Sequence, residues 1–536
     1  MRMPKPRMQV LVQGFSTDRI QRQRNGSTLI IKHVSIVTVL TGVNLLVTLM
    51  NQVVLAYLFG AGTSMDAFLS CGAVPFVILN LAIGDLGYVL IPLLTKWEED
   101  GKLREAIDAT FTGVTLLALA VTIVGIGCHT LILRLTTASN MPLATFALAD
   151  QMAPLMWIII GLTIMGSYLT GIHYFKRQFT PPSITLAVPY LGMIAGGLAG
   201  AHRLGIISVA FGWAIGTLAR DVVLLLALGG SPIRFSTKLF HPATRKLMRT
   251  LPSLGLSLLP FAALPMIDVF WASRLPVGSI SYLGYSNRIV IALTSIVVQG
   301  LSVVMFPDLS EDIVKGKIAL FRRKVIDAMK VIFLVIVPLS VLVSIGRIPM
   351  IGFALGRGRF GTDSILGVAR VLPFYLLGVV WMAMMNIIIR SFYALQDYKT
   401  PAIVGTVALV LYTALSGLLI PHYSYLAIGI AYCVFWVFMF TVQSYFLGKA
   451  VGTVLNREFL GFLGKVTLSS LAAIGFAFVL PRLVTMGAVA PLAAMAQGAA
   501  GLVLFVVISH FVFRLPQYPL LFGLIQQTLR MAPRAE

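Results

Sequence analysis

Acidic side chains are scarce in this sequence: 19 Asp and Glu stand against 41 Lys and Arg, and charged residues of both signs fill only 11% of 536 positions. That is too little polar surface to cover the several water-facing globules such a length would otherwise form. Cysteine is scarcer still. Cys71, Cys128 and Cys433 are far apart and lie in or near apolar segments, which argues against a disulfide framework or a cysteine metal cluster and leaves small apolar packing as their role. No metal-ligand spacing and no compact nucleophile or acid–base constellation emerges, so the chain does not read as an enzyme, and neither a metal nor a cofactor is expected. The net charge of +22 raises the question of nucleic acid, but the basic clusters recur at membrane-segment spacing with no aromatic-basic stripe, and no nucleic-acid partner is expected.

What the sequence has in abundance is apolar residues, 58% of the chain. Uncut apolar stretches of roughly 20 residues, the length that crosses a hydrocarbon core, recur from Val34 to the region before Arg514. Lipid satisfies no open backbone group, so such segments are helices unless they alternate as barrel strands do, and these are solidly apolar. The expected fold is an all-α polytopic membrane protein of about 14 transmembrane helices, placed near 34–56, 66–94, 106–131, 148–172, 183–200, 204–229, 251–273, 279–307, 325–345, 365–390, 400–420, 426–447, 462–481 and 490–513. The basic N-terminal stretch has no long apolar core before Val34, making it a poor cleavable signal, so the first helix is expected to stay as an anchor.

An even number of helices puts both ends on one side. Most Lys and Arg residues lie in the N-terminal tail, the even-numbered loops and the C-terminal tail, which by the positive-inside bias places both termini in the cytoplasm of a bacterial inner membrane. The largest clusters are Arg234, Lys238, Arg245, Lys246 and Arg249 before helix 7, and Lys315, Lys317, Arg322, Arg323 and Lys324 before helix 9. Both suit orientation signals and contacts with anionic membrane lipids. The expected organisation is a basic tail at 1–33, a six-helix bundle at 34–229, a basic linker at 230–250, a second six-helix bundle at 251–447, two additional helices at 448–513 and a cytoplasmic tail at 514–536. A weak internal echo, VLIPLLTKW at 89–97 and VVMFPDLSE at 303–311, suits a duplicated transporter plan.

Ionisable residues inside spanning segments are costly unless paired, hydrated or facing a cavity, so they are the first candidates for function. Asp66 follows the turn LFGAG at the start of helix 2 and reads either as a helix cap or as a gating residue at the outer mouth. Asp85 sits in AIGDLGYVLIP between Gly84 and Gly87, facing a lumen or making an interhelical contact. Pro265 and Asp268 combine a freed carbonyl with a carboxylate, a candidate hinge or cation site for Na⁺ or H⁺. The adjacent Arg220 and Asp221 read as an ion pair at the cytoplasmic end of helix 6. Arg288, in SYLGYSNRIV about one third of the way through helix 8, is the leading substrate candidate, because guanidinium presents a planar set of donors to phosphate. Asn287 and Tyr285 offer neutral hydrogen bonds beside it.

Four stretches resemble the MurJ/MviN family of lipid-linked precursor flippases, within the larger group of multidrug and polysaccharide exporters. They are LAYLFGAGTSMDAF at 55–68, FWASRLPVGSISYLGYSNR at 270–288, VVMFPDLS at 303–310 and RSFYALQDYKTP at 390–401, the last carrying Gln396, Asp397, Lys399 and Pro401. The resemblance implies two six-helix bundles around a central cavity, two further helices beside a hydrophobic groove, and a polyprenyl-pyrophosphate-linked glycan as cargo, most readily the peptidoglycan precursor lipid II. It implies that Arg288 is the helix 8 arginine that meets the pyrophosphate, and that Asp66 is the acidic position after the first external turn. Where such flippases carry arginines in helix 1 and a basic pair in helix 2, this chain has Asn51, and Leu79 with Asn80. Asn51 and Asn80 are therefore taken as neutral substrate contacts, and an exopolysaccharide or other polysaccharide repeat unit is the second cargo in view; a cation-coupled drug antiporter is the third reading. Alternating access, powered by membrane potential, Na⁺ or H⁺, is the expected mechanism. The chain is expected to act as a monomer, with cell-envelope biosynthesis proteins as partners.

Overall fold

The computed structural model describes residues 39–137, 141–229, 233–238, 241–397, 399–483, 500–501 and 503–513; within these, the side chains at 82–89, 252–258, 296–308, 310–311, 314, 477–483 and 511–512 lie outside the description. No strand occurs among the described residues. Helix α1 spans Val39–Phe59. Helices α2 (Thr63–Cys71) and α3 (Ala73–Glu99) form one unit bent by 46° at Gly72. Then follow α4 (Leu103–Thr136), α5 (Leu143–Phe175), the short α6 (Thr180–Thr185), α7 (Val188–Leu204) and α8 (Ile207–Ala227). The second half runs through α9 (Pro242–Ala262), α10 (Leu264–Ala272), α11 (Ser279–Val314), α12 (Ile318–Ile345), the short α13 (Arg347–Leu355), α14 (Thr362–Ala394), α15 (Lys399–Tyr423) and α16 (Leu426–Val451). α17 (Arg457–Leu483) comes next, and the described chain ends in a helical stretch closing with the π-helical turn Ile508–Val512.

Ten of these helices are long and apolar enough to cross a membrane, or eleven if the bent α2–α3 unit counts as one span, among the described residues. Within their described residues the expected segments up to 481 fall on helix, and the chain is a multi-pass membrane protein; 34–38 of the first segment and 490–499 and 502 of the last lie outside the described residues. Several helices run past their expected ends. α4 has 34 residues and α12 starts at Ile318, because a helix propagates through polar flanks until the backbone is turned out of it. Gly205 (φ 57°) and Gly452 (φ 91°), both in the left-handed region, do this for α7 and α16. α9 likewise starts at Pro242, earlier than expected, since proline suits a first helical turn and the His241 ring nitrogen accepts the Ala243 amide at 3.2 Å.

Each half is arranged around one long helix that is apolar on all sides. α5 packs on α2, α3, α4 and α8; α14 packs on α11, α12 and α16. Outward-facing Leu119, Ile123, Leu226, Val410 and Leu418 are exposed, an arrangement that suits lipid. α17 docks on α12 through Lys330, which is buried and reaches Glu458 Oε1 at 2.5 Å. α7 and α8 meet backbone to backbone: a β-carbon on Gly192, Gly196 or Gly212 would run into the main chain of the other helix. Small residues at four-residue spacing permit this approach, and close packing is what holds helices together where lipid offers no hydrophobic drive.

A Gly212→Val substitution is therefore expected to cost on the order of 1–3 kcal/mol by overpacking, read as a lower unfolding midpoint in detergent. Gly461→Ala on α17, where a β-carbon meets nothing within 4 Å, is the control and should leave the midpoint unchanged or slightly raised.

Candidate functional site

The two halves join at one end through three tight turns. Gly60 after α1, Gly278 before α11 and Gly358 between α13 and α14 all take positive φ (66°, 98° and 64°), a region that only glycine enters freely. They interlock: a β-carbon on Gly60 would strike the Arg359 carbonyl, and one on Gly358 the Tyr57 carbonyl. The Arg359 amide donates to Tyr57 O at 3.0 Å, and the Tyr285 hydroxyl donates to Gly60 O at 3.1 Å. The Tyr285 ring meets Phe360 edge-on at 5.1 Å.

Asp66 closes this joint. It is buried, 3% exposed, on α2, and its carboxylate accepts the Gly278 amide at 2.6 Å, the Ser281 amide at 2.8 Å and the Ser281 hydroxyl. The cap reading of Asp66 is thus right in kind but different in target. The helix it caps is α11 of the other half, because α2 packs on α11 and the first amides of any helix lack internal acceptors. Asp66 and Tyr285, assigned to gating and to substrate respectively, are both part of this clasp, and the Tyr285 hydroxyl already has its partner.

Arg288 lies about two and a half turns from Ser279 along α11. It is half-buried, and its Nη1 donates to Gln52 Oε1 on α1. Gln52 is the contact that the sequence reading missed; its signal was a second amide beside Asn51 in an otherwise apolar helix. Asn51 itself turns away, buried, with Nδ2 3.7 Å from Met193 Sδ on α7 and Oδ1 without a partner. Asn287 is half-buried beside Arg288, and Asn80 is exposed on α3. The side chain of Asp85 lies outside the described residues.

Asp268 does not stand in an open chamber. It is buried among α10, α14 and α15, where Tyr412 and Tyr375 hydroxyls donate to its two oxygens, the latter at 3.4 Å. Pro265 occupies the first turn of α10, just after a one-residue break between α9 and α10 at Ala263. Among the described residues no group of three or more His, Cys, Asp or Glu could hold a metal ion.

The four motif residues Gln396, Asp397, Lys399 and Pro401 lie at the other end of α14, in the turn to α15, and they do not meet Arg288. Gln396 takes φ 59°, and Asp397 accepts the Lys399 and Thr400 amides at 3.1 and 3.0 Å and the Thr400 hydroxyl at 2.6 Å. Their visible work is to start α15. Partial burial acts to raise the Asp397 carboxyl, but the bonds from Thr400 and Lys399 outweigh it and hold the group below the usual carboxylate range.

At this same end the basic stretch between the halves is clipped to α4. The Arg234 amide donates to Asp108 at 2.9 Å, the Ser236 amide to Thr112 at 2.8 Å, and Lys238 Nζ pairs with Glu105 at 2.5 Å. Ala243 and Leu247 at the start of α9 are buried with Leu90, Leu94 and Val114 of the first half. Among the described residues the halves thus meet at both ends, with Arg288 between.

The family model for the lipid II flippase MurJ matches residues 55–496. A lipid II flippase MurJ from Burkholderia cenocepacia is 22% identical over 405 residues, covering 72% of this chain and 78% of that protein. Among solved structures, a lipid II flippase MurJ in an inward closed conformation superposes with a TM-score of 0.77 at 20% identity, over 89% of this chain and 98% of the other. An inward-facing multidrug transporter of the MATE family shares the fold at a TM-score of 0.64 and 13% identity, over 76% and 95% of the two chains.

Two predictions follow from the clasp and the cap. Asp66→Ala removes the acceptor for α11 and is expected to loosen α2, so that buried Cys71 reacts several-fold faster with a maleimide in a Cys128→Ser, Cys433→Ser background; an unchanged rate means the carboxylate does not hold the joint. For Asp397, whose folded proton affinity is lowered, the cap contributes above the ordinary carboxylate range and is lost as pH falls through the folded value. The stability difference between the protein and its Asp397→Ala variant, about 1 kcal/mol at neutral pH, should therefore vanish on acidification.

Proposed function

The chain belongs to the family of the lipid II flippase MurJ, and from that premise we propose that it carries lipid II, a polyprenyl-pyrophosphate-linked sugar, from the cytoplasmic to the outer leaflet of a bacterial inner membrane. The observation that carries the reading is Arg288, a cation held between the two halves with a neutral amide, Gln52, as its hydrogen-bond partner. A guanidinium whose partner is neutral keeps its charge available for an anion, and charge-assisted bonds to phosphate are stronger than the one to an amide. Arg288 meets the pyrophosphate, with Gln52 and Asn287 as neutral contacts, while the polyprenyl chain stays in lipid because its two ends prefer opposite solvents.

The clasp at Asp66 and the closure of the linker on α4 are the two gates, and opening one while the other holds gives alternating access. The N-terminus and the basic linker lie on the cytoplasmic side, and the Asp66 joint lies outside. An anionic head moving outward runs down an inside-negative potential worth about 2.3 kcal/mol per charge per 100 mV, so the potential drives the cycle without a cation at Asp268, whose oxygens already accept from two tyrosines.

Arg288→Gln is expected to lower lipid II flipping in reconstituted vesicles by at least about tenfold, with Arg288→Lys falling between, since lysine keeps the charge without the fork. Equal rates for all three proteins at equal reconstitution would remove the proposal. Vesicles charged with a polysaccharide repeat unit on the same lipid provide the competing cargo.

A further inference from the structure

Arg220 and Asp221 on α8 were read as an ion pair at a membrane interface, and the structure gives them a different arrangement. They are 7% and 6% exposed, and no hydrogen bond joins them. Successive residues on a helix point about 100° apart, and both side chains lie against Gly166 of α5, where the missing side chain leaves them room. Arg220 Nη2 donates to Thr170 Oγ1 at 3.3 Å, its Nε has no partner, and neither oxygen of Asp221 has one. Buried polar groups normally find hydrogen bonds, and a guanidinium with an unused donor beside a carboxylate with unused acceptors calls for an account.

Its surroundings give one. Tyr190 of α7 lies within electrostatic range of both Arg220 and Arg288, so one helix approaches both arginines. They stand at different depths. Arg288 is about two and a half turns from the clasped end of α11, and Arg220 about two turns from the end of α8 that leads into the basic linker. The remaining ionisable neighbours are Asp221 and Tyr174 for Arg220, and Tyr285 for Arg288.

We propose that Arg220 is a second diphosphate-binding residue of the transport path, the station nearer the linker, with Asp221 as the counter-charge that balances it while no cargo is present. The inference rests on the flippase reading. Asp221 balances Arg220 without a direct bond, so an arriving diphosphate finds a cation already desolvated, held only by Thr170 and with Nε open. The same carboxylate then repels the diphosphate and keeps its stay short, whereas Arg288 has only a neutral partner. The hold on the anion thus rises from Arg220 to Arg288, which favours outward transfer.

The test titrates undecaprenyl diphosphate into the purified full chain in detergent, with undecaprenol as the uncharged control and inorganic pyrophosphate as competitor, followed by native mass spectrometry. Arg220→Gln is expected to weaken binding about tenfold, as loss of a charge-assisted bond does, and Arg220→Lys less. Asp221→Asn is expected to tighten it several-fold, a gain that misfolding cannot mimic, and pyrophosphate should compete in each case. If Arg288→Gln weakens binding while both Arg220→Gln and Asp221→Asn bind as the unaltered protein does, this station is refuted and the flippase reading stands. If the unaltered chain binds undecaprenyl diphosphate no better than undecaprenol, the flippase reading falls and this inference with it.

Discussion

A carboxylate from one half of the molecule set against the open amides of a helix in the other half is the contact on which the closed arrangement depends. The start of any helix carries amides with no internal acceptor, and away from water they must be satisfied by something. Asp66 satisfies two of them on α11 and takes the Ser281 hydroxyl as well, so separating the halves leaves both the anion and the amides unpaired. Such a joint is strong only while water is excluded from it. In the proposed alternating access, hydration of the opened joint offsets that loss, so that a strong clasp is compatible with a reversible one.

Among the described residues between the two ends, few side chains carry charge. Arg288 is paired with the neutral Gln52, whereas both oxygens of Asp268 already accept from tyrosine hydroxyls, so the arginine is the charge left open to a ligand of opposite sign. That polarity suits an anionic head and disfavours a cationic drug, although the fold itself is shared with a drug transporter. Specificity in this architecture is carried by a few side chains on a common scaffold.

The helical plan was legible because hydropathy records the cost of exposing backbone and charge to lipid, and that cost acts on every spanning segment alike. Helix ends were less so, since α4 and α11 continue until a turn such as that at Gly316 (φ 68°) stops them, and hydropathy does not register that stop. Asp66 and Arg288 stood out as charges in apolar surroundings, but their partners did not. Which helix Asp66 would cap, and that Gln52 and not Asn51 would face Arg288, depend on helix rotation and on packing between segments more than 200 positions apart. The surroundings of Asp268 were illegible for the same reason: its two tyrosines come from α14 and α15, and sequence alone gives no sign that they converge.

The course of α9 carries a mechanical consequence. Ala243 and Leu247 at its start are embedded in the first half, while near its end Pro260 fits against Gly405 and Phe261 stacks on Trp436 in the second. A rod fastened at each end to a different body cannot stay rigid while those bodies turn against each other. The flexing has to fall between those two anchorages, so torque between the halves gathers in the backbone of α9 itself, while the break at Ala263, with Pro265 behind it, lies beyond the second anchorage and uncouples only α10 from that strain.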